Sequence, residues 1–201
     1  MRRLCLLAGL AVFLILPVNA QDQNIINGNK LESWYTYWGL GYGTSQYPDA
    51  MQKALDAFEE IDGVTRTEIA VDMFGFYFPV NGHHTAVGFV IDGVADAFDY
   101  DGETVQFNQY IYAASAMHFF NETVGKGFFV RGDLGFAYLN VESTIDNFSA
   151  TSDSGIGLLI GGGYGFNLGA GTRCMLNLNY SYRGVEGDTY TALGITAGFM
   201  F

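Results

Sequence analysis

The chain reads as an all-β protein: eight antiparallel strands closed into an up-and-down transmembrane β-barrel, with a short helix in the first long loop. Three observations predict this. First, residues 188–201 alternate with a period of two. Thr191, Leu193, Ile195, Ala197, Phe199 and Phe201 share one apolar face, and Tyr190, Ala192, Gly194, Thr196, Gly198 and Met200 share a smaller one. A tilted strand of roughly 9–11 residues crosses a bilayer. Second, nothing after the first twenty residues approaches the ~18 unbroken apolar residues of a spanning helix. Yet only 15% of the chain is charged and 27 residues are glycine, which suits closely packed barrel strands better than a soluble enzyme. Third, the strand-like segments number eight and their connections are mostly short on one side and longer on the other.

The amino terminus is an export signal. Met1-Arg2-Arg3 is basic, residues 4–16 are apolar, and Val18 and Ala20 occupy the −3 and −1 positions of a small-residue cleavage site. The apolar run is shorter than the ~20 residues an anchor helix needs, so cleavage is expected after Ala20. Cys5 leaves with the signal, which makes an intrachain disulfide impossible for Cys174. A small apolar filler on a strand is the ordinary role of such a residue.

The strands are expected at 34–43, 67–79, 84–91, 108–120, 127–141, 154–168, 173–183 and 188–201. Short turns are expected at 80–82, 121–126 and 169–171, the first with Asn81-Gly82, a strong hairpin signal. Longer connections fall at 44–66, 92–107 and 142–153, with a brief one at 184–187. Leu176, Leu178, Tyr180 and Tyr182 alternate with Asn177, Asn179, Ser181 and Arg183. Ile156, Leu158, Ile160, Tyr164 and Phe166 alternate mainly with glycines. In 127–141, Arg131 and Asp133 oppose Phe128, Val130, Leu134 and Phe136. An arginine facing lipid at mid-bilayer costs ~2–4 kcal/mol, so Arg131 and Asp133 turn inward. Asp72 turns inward for the same reason. That parity also carries Phe74, Phe76 and Phe78 into the lumen, a conflict that a β-bulge would resolve. Asp72, Arg131, Asp133, Asn177 and Asn179 are thus the candidates for a polar network plugging the barrel.

The first long loop carries the helical pattern. Met51, Ala54, Leu55, Phe58 and Ile61 recur at three- and four-residue spacing, and Pro48 and Asp49 suit the first turn. The segment 49–61 is expected to cap the barrel mouth with its apolar stripe; the alternative is a gating or recognition element.

The signal peptide, the eight alternating strands and the Phe-x-Phe ending at Phe199 and Phe201 resemble the small outer-membrane barrels of Gram-negative bacteria, such as the OmpA transmembrane domain, OmpX and OmpW. The resemblance implies a bacterial outer-membrane location, with lipid and lipopolysaccharide around the barrel. It also implies barrel-assembly machinery that reads Phe199 and Phe201. The domain plan is then a signal peptide at 1–20, a short periplasmic segment at 21–33 and the barrel at 34–201. No C-terminal peptidoglycan-binding domain of the OmpA kind is expected.

Charge and chemistry narrow the function. The formal net charge is −12, and the carboxylates Asp49, Asp56, Glu59, Glu60, Asp62, Asp92, Asp96, Asp99, Asp101, Glu103, Glu142, Asp146, Asp153, Glu186 and Asp188 fall in the long-connection half. This disfavours nucleic acid, which needs a basic footprint. It leaves a solvated repulsive surface, or a site for divalent cations or basic ligands. Asp99, Asp101 and Glu103 have an Asp-x-Asp-Gly look but lack the third ligand and closing Glu of a calcium loop. The histidines are His83, His84 and His118. Ser115 lies three residues from His118, on the opposite face of one strand, so no nucleophile–base pair forms and no enzyme or cofactor is expected. Two readings remain: a structural and surface-interaction barrel presenting acidic extracellular loops, or a narrow porin-like channel or small hydrophobic-solute conduit gated by the first-loop helix. Lumen glycines (Gly157, Gly161, Gly163, Gly165, Gly194, Gly198) favour the second by leaving space.

Overall fold

The computed structural model describes residues 24–26, 29–80, 83–120, 123–145, 147–169 and 171–201. The signal segment with Ala20, the Asn81-Gly82 turn, Asn121-Glu122, Asp146 and Ala170 lie outside the described residues. Two units are present, Met1–Glu32 and Ser33–Phe201. In the first, Asn24–Ile26 pairs antiparallel with Asn29–Leu31.

The second unit is the barrel. Its long strands are β1 Tyr35–Gln46, β2 Thr65–Val80, β3 Thr85–Tyr100, β4 Glu103–Phe119, β5 Gly127–Ser143, β6 Gly155–Gly169, β7 Thr172–Val185 and β8 Asp188–Met200. Helix α1, Asp49–Glu59, follows β1, and a four-residue strand, Phe148–Thr151, pairs with the end of β5. Each long strand pairs antiparallel with its sequence neighbours, and β8 pairs with β1 to close the ring. Closure leaves no open edge among these eight strands, the condition for burying β-structure in lipid. The last residue completes the seam: Phe201 N donates to Thr36 O at 3.0 Å, and Thr36 N donates to Phe201 O at 3.1 Å.

Side-chain parity separates the two faces along the whole wall. Leu134, Phe136, Ile160, Leu178 and Ile195 are exposed on the outside, whereas Arg131, Asp133, Asn177, Ser181 and Thr196 are buried inside. Aromatic pairs strengthen the outer surface near the end bearing the termini, including Trp38–Phe199 and Phe128–Tyr164 with ring centroids 5.0 and 4.9 Å apart. The conflict in β2 is resolved by a bulge between Asp72 and Phe74. Met73 is the extra residue, so Asp72 stays inside while Phe74 and Phe78 face out.

The connections differ from the sequence expectation. The predicted 92–107 loop is strand. Val90, Asp92, Val94, Asp96 and Phe98 all point inward, and β3 and β4 join at Asp101-Gly102. Both turn residues have positive φ, 48° and 86°, as a two-residue type I′ hairpin requires. Glu186-Gly187 repeats this with φ of 53° and 88°. The carboxylates of 92–107 read as loop because charge argues against a buried strand. Here Asp92 and Asp96 face arginines inside the barrel. The 142–153 connection likewise contains strand pairing, Asn140–Ser143 with Phe148–Thr151. Pro48 precedes α1 with extended ψ of 146°, one step earlier than its expected place in the first turn.

Ile195 lies at the centre of the outer face of β8. Ile195→Arg is expected to lower the unfolding free energy in lipid vesicles by ~2–4 kcal/mol, read from the urea midpoint, whereas the same change at exposed Thr189, above the band, is expected to be nearly neutral.

Candidate functional site

The lumen is filled in layers. At the end bearing both barrel termini, Tyr35, Tyr37, Tyr77, Met117, Phe119, Phe129, Met175 and Met200 form one buried apolar cluster. Above them lies an ionic layer. Arg131 Nη1 meets Asp72 Oδ1 at 2.6 Å, and its Nε and Nη2 meet Asp133 Oδ2 at 2.9 and 2.7 Å. Tyr37 donates to Asp72 Oδ2 at 3.0 Å, and Ser115 donates to Asp133 Oδ1 at 2.5 Å. Asn177 Nδ2 donates to the Tyr37 oxygen at 2.9 Å and to Thr196 Oγ1 at 3.0 Å. Four of the five sequence-predicted lumen residues therefore sit in one network. Asn179 is buried but apart from it, its Oδ1 without a protein partner.

Four of the lumen glycines face occupied space. A Cβ on Gly198 would strike the Tyr37 ring, one on Gly157 would strike Ile111, one on Gly161 would strike Asn179, and one on Gly163 would meet Phe129 and the Leu176 carbonyl. Each lets a neighbouring side chain or strand occupy the space its own side chain would need. The sequence displays the missing side chain and conceals the group that replaces it.

A third layer and a roof close the other end. Arg183 reaches across the lumen, Nη2 to Asp92 Oδ1 at 2.8 Å, 91 residues away in sequence. Above it, Tyr47, Leu55, Phe98, Ala137, Val185 and Tyr190 form a second apolar cluster, with Met51 and Phe58 of α1 packed on it. The α1 stripe thus lies across the barrel mouth, and polar contacts brace it. Arg66 binds Asp96 through Nε at 2.9 Å and Nη2 at 2.8 Å, Glu68 at 3.1 Å, and Glu59 of α1 at 3.2 Å. Tyr47 donates to Asp96 at 2.7 Å. Burial, with Asp96 beside it, pushes the Tyr47 phenol above its ordinary value. The roles of Arg66 and Tyr47 and the pairings of Arg66 with Asp96 and Arg183 with Asp92 were not read from the sequence. The period-two pattern running on past Ile91 was the signal that could have turned Asp92 and Asp96 inward.

Asp99, Asp101 and Glu103 do not converge. Asp99 accepts from Thr104 at 2.5 Å, Glu103 accepts from Thr144 at 2.6 Å, and Asp101 belongs to the hairpin turn. Among the described residues no three His, Cys, Asp or Glu side chains are grouped to hold a metal. His118 faces outward beside Thr85, at 2.9 Å, while Ser115 faces the lumen.

A closed eight-stranded ring, an apolar exterior and a polar interior decide the architecture. The fold is that of the small outer-membrane β-barrels. Ail, the attachment invasion locus protein of Yersinia pestis, solved with the heparin analogue sucrose octasulfate, matches with a TM-score of 0.51 at 16% identity, covering 85% of this chain and 100% of Ail. Neisserial surface protein A matches with a TM-score of 0.53 at 10% identity, covering 84% and 96% of the two chains. The outer membrane protein OprG from Pseudomonas aeruginosa gives 0.44 at 11%, covering 84% and 96%. No protein-family model and no curated protein matches the chain.

Arg131→Leu leaves Asp72 and Asp133 buried without a counter-charge and is expected to cost ~3–5 kcal/mol, measured by unfolding in lipid vesicles. Adding Asp72→Asn and Asp133→Asn should recover most of the loss. The Tyr47 contact carries a pH signature. Its folded pKa is raised, so its stabilisation is full below the ordinary value of 10.0 and is lost as pH rises above it. The stability advantage of wild type over Tyr47→Phe should therefore shrink in thermal melts above about pH 10.

Proposed function

We propose that this is a bacterial outer-membrane protein whose sealed barrel is a rigid mount for an acidic extracellular surface. The observation that carries the reading is the occupied lumen. Arg131 and its carboxylates span the middle, with aromatic and methionine side chains below and the α1 roof above. An eight-stranded barrel is just wide enough to be filled in this way. The domain plan follows: a signal cleaved after Ala20, a short periplasmic segment at 21–33, and the barrel from residue 34. Phe199 and Phe201 serve as the terminal signal for assembly.

The exposed carboxylates at the outer end include Asp49, Asp56, Glu60, Asp62, Glu186 and Asp188, with Lys53 the exposed cation on α1. This charge supports recognition of basic ligands or divalent cations, with lipopolysaccharide-bound ions among them. It runs against the polyanion that accompanies Ail. Such attraction fades beyond a Debye length of roughly 8 Å at physiological salt.

The channel reading makes the opposite electrical prediction. The mature protein in planar bilayers should give no conductance steps, and should stay silent when residues 51–61 are deleted, because the Arg131 layer still blocks the bore. Steps that appear or grow on deletion would establish a helix-gated pore instead. A mature protein that purifies as a soluble monomer without detergent would sink both readings. At the surface, a lysine-rich peptide should bind at low salt and sucrose octasulfate should not. Combining Glu59→Gln, Glu60→Gln and Asp62→Asn should weaken the peptide several-fold. Deleting Phe201 should lower outer-membrane levels in cells, as seen by fractionation; unchanged levels would remove its assembly role.

A further inference from the structure

Where the wall rises past the roof, β4, the end of β5 and the strand Phe148–Thr151 form a three-stranded sheet with two unlike faces. Its outer face is polar and internally bonded. Gln106 Nε2 donates to Asn108 Oδ1 at 2.6 Å, Asn108 Nδ2 to Asn140 Oδ1 at 3.3 Å, and Asn140 Nδ2 to Thr151 Oγ1 at 3.1 Å. The other face, turned toward the barrel axis, carries Val105, Phe107, Leu139, Val141, Phe148 and Ala150, since Phe107 pairs with Val141 and Val141 with Ala150. Phe107 and Leu139 at its base pack on the roof cluster, with the Phe107 ring 5.6 Å from that of Tyr47. Higher up the cover stops. Val105 and Val141 are half-buried, Ala150 is exposed, and Phe148 is 53% exposed.

A sheet solvated on one side puts its apolar face on the core, but this face runs on beyond the core it covers. An exposed apolar patch with a polar rim marks a docking surface, and the surrounding charge selects the partner. Residues 100–109, 138–154 and 184–188 contain no Lys, Arg or His, and their carboxylates include Asp101, Glu103, Glu142, Asp153, Glu186 and Asp188. Two of these are tied to the hairpin of the sheet. Thr144 Oγ1 donates to Glu103 Oε2 at 2.6 Å, and Asp153 N donates to Glu186 Oε1 at 2.9 Å. We propose that this upper face docks a cationic amphipathic peptide. Its apolar side chains pack on Val105, Val141, Phe148 and Ala150, and its lysine or arginine side chains meet Glu103, Asp153 and Glu186. The inference rests on the acidic-surface reading and sharpens it. A second copy of this chain would bring carboxylates against carboxylates, and an uncharged apolar ligand would leave them uncompensated. Three strands wide and about four residues tall, the uncovered face spans roughly 10 by 13 Å, room for a few apolar side chains.

The test uses the mature protein in nanodiscs of zwitterionic lipid, with empty discs as the reference, and two end-blocked hexapeptides at low salt. One peptide alternates leucine with lysine; the other has serine in place of each leucine and carries the same charge. The leucine peptide should bind several-fold more tightly than the serine peptide. Phe148→Ser should abolish that preference and leave the affinity for the serine peptide unchanged. Phe148 lies beyond the β5–β6 ladder, which ends at Ala137 and Gly155, so the barrel should melt as wild type does. If it does not, Ala150→Gln gives the same comparison. Equal affinity of the two peptides for wild type, or a preference that survives both variants, would overturn the proposal and leave the acidic surface standing. Leucine-peptide binding no greater than that to empty discs would do the same, provided the serine peptide still binds. Failure of both peptides to bind would bring down the acidic-surface reading as well. Dimers that form in wild type and are lost in Phe148→Ser would give the face to a second copy and overturn the assignment to a peptide.

Discussion

The fold depends on one constraint: Arg131 must not face lipid. Turning it inward fixes the parity of β5, because side chains alternate strictly along a strand. Asp133 then shares the lumen face, and Asp72 of β2, a carboxylate that must not face lipid either, has to turn inward to the same guanidinium. That requirement collides with the lipid face of β2, where Phe74 and Phe78 have the same sequence parity as Asp72. The chain accommodates both demands by inserting Met73 as an extra residue. The bulge is therefore the local cost of serving a charge on one side of Asp72 and lipid on the other.

The ionic layer is not an argument for high stability, because buried ion pairs often only break even against apolar packing. What it supplies is register. Arg131 contacts a carboxylate 59 residues away and one two residues away. A slip of β2 or β5 by one residue would put these groups in lipid. The glycines serve the same end from the opposite direction. Tyr37 occupies the space beside Gly39, Gly75 and Gly198 on three strands, so its ring is located by where side chains are missing. Charge and absence together leave the filled lumen little freedom to pair otherwise.

Strand number, closure, the faces of β5 to β8 and the strain in β2 were all legible, because each follows from alternation along a single strand. What resisted was pairing across strands. Asp92 and Asp96 looked like loop residues until Arg183 and Arg66 were placed against them, 91 and 30 residues away. The lumen glycines looked like space because a sequence records what a residue lacks and not what its neighbour sends there. The helix was visible from its stripe. Its brace, Arg66 to Glu59 with Tyr47 on Asp96, depends on contacts over 7 and 49 residues that no local pattern encodes.

The extended strands change what the acidic end can do. Mobile loops would carry their carboxylates as a diffuse repulsive cloud. Here β3–β4 and β7–β8 each turn in two residues, and β3 and β4 stay paired as far as Tyr100 and Glu103. At about 3.3 Å per residue, the paired segments beyond Val94 and Gln109 rise well past the ionic layer. Asp99 and Glu103 are fixed by hydrogen bonds to Thr104 and Thr144. Held groups lose little entropy when a partner binds, so a rigid charged wall can discriminate by spacing where a mobile loop discriminates mainly by total charge. Each part of the fold, from the Arg131 layer to the α1 brace, removes freedom from the strands that carry that wall.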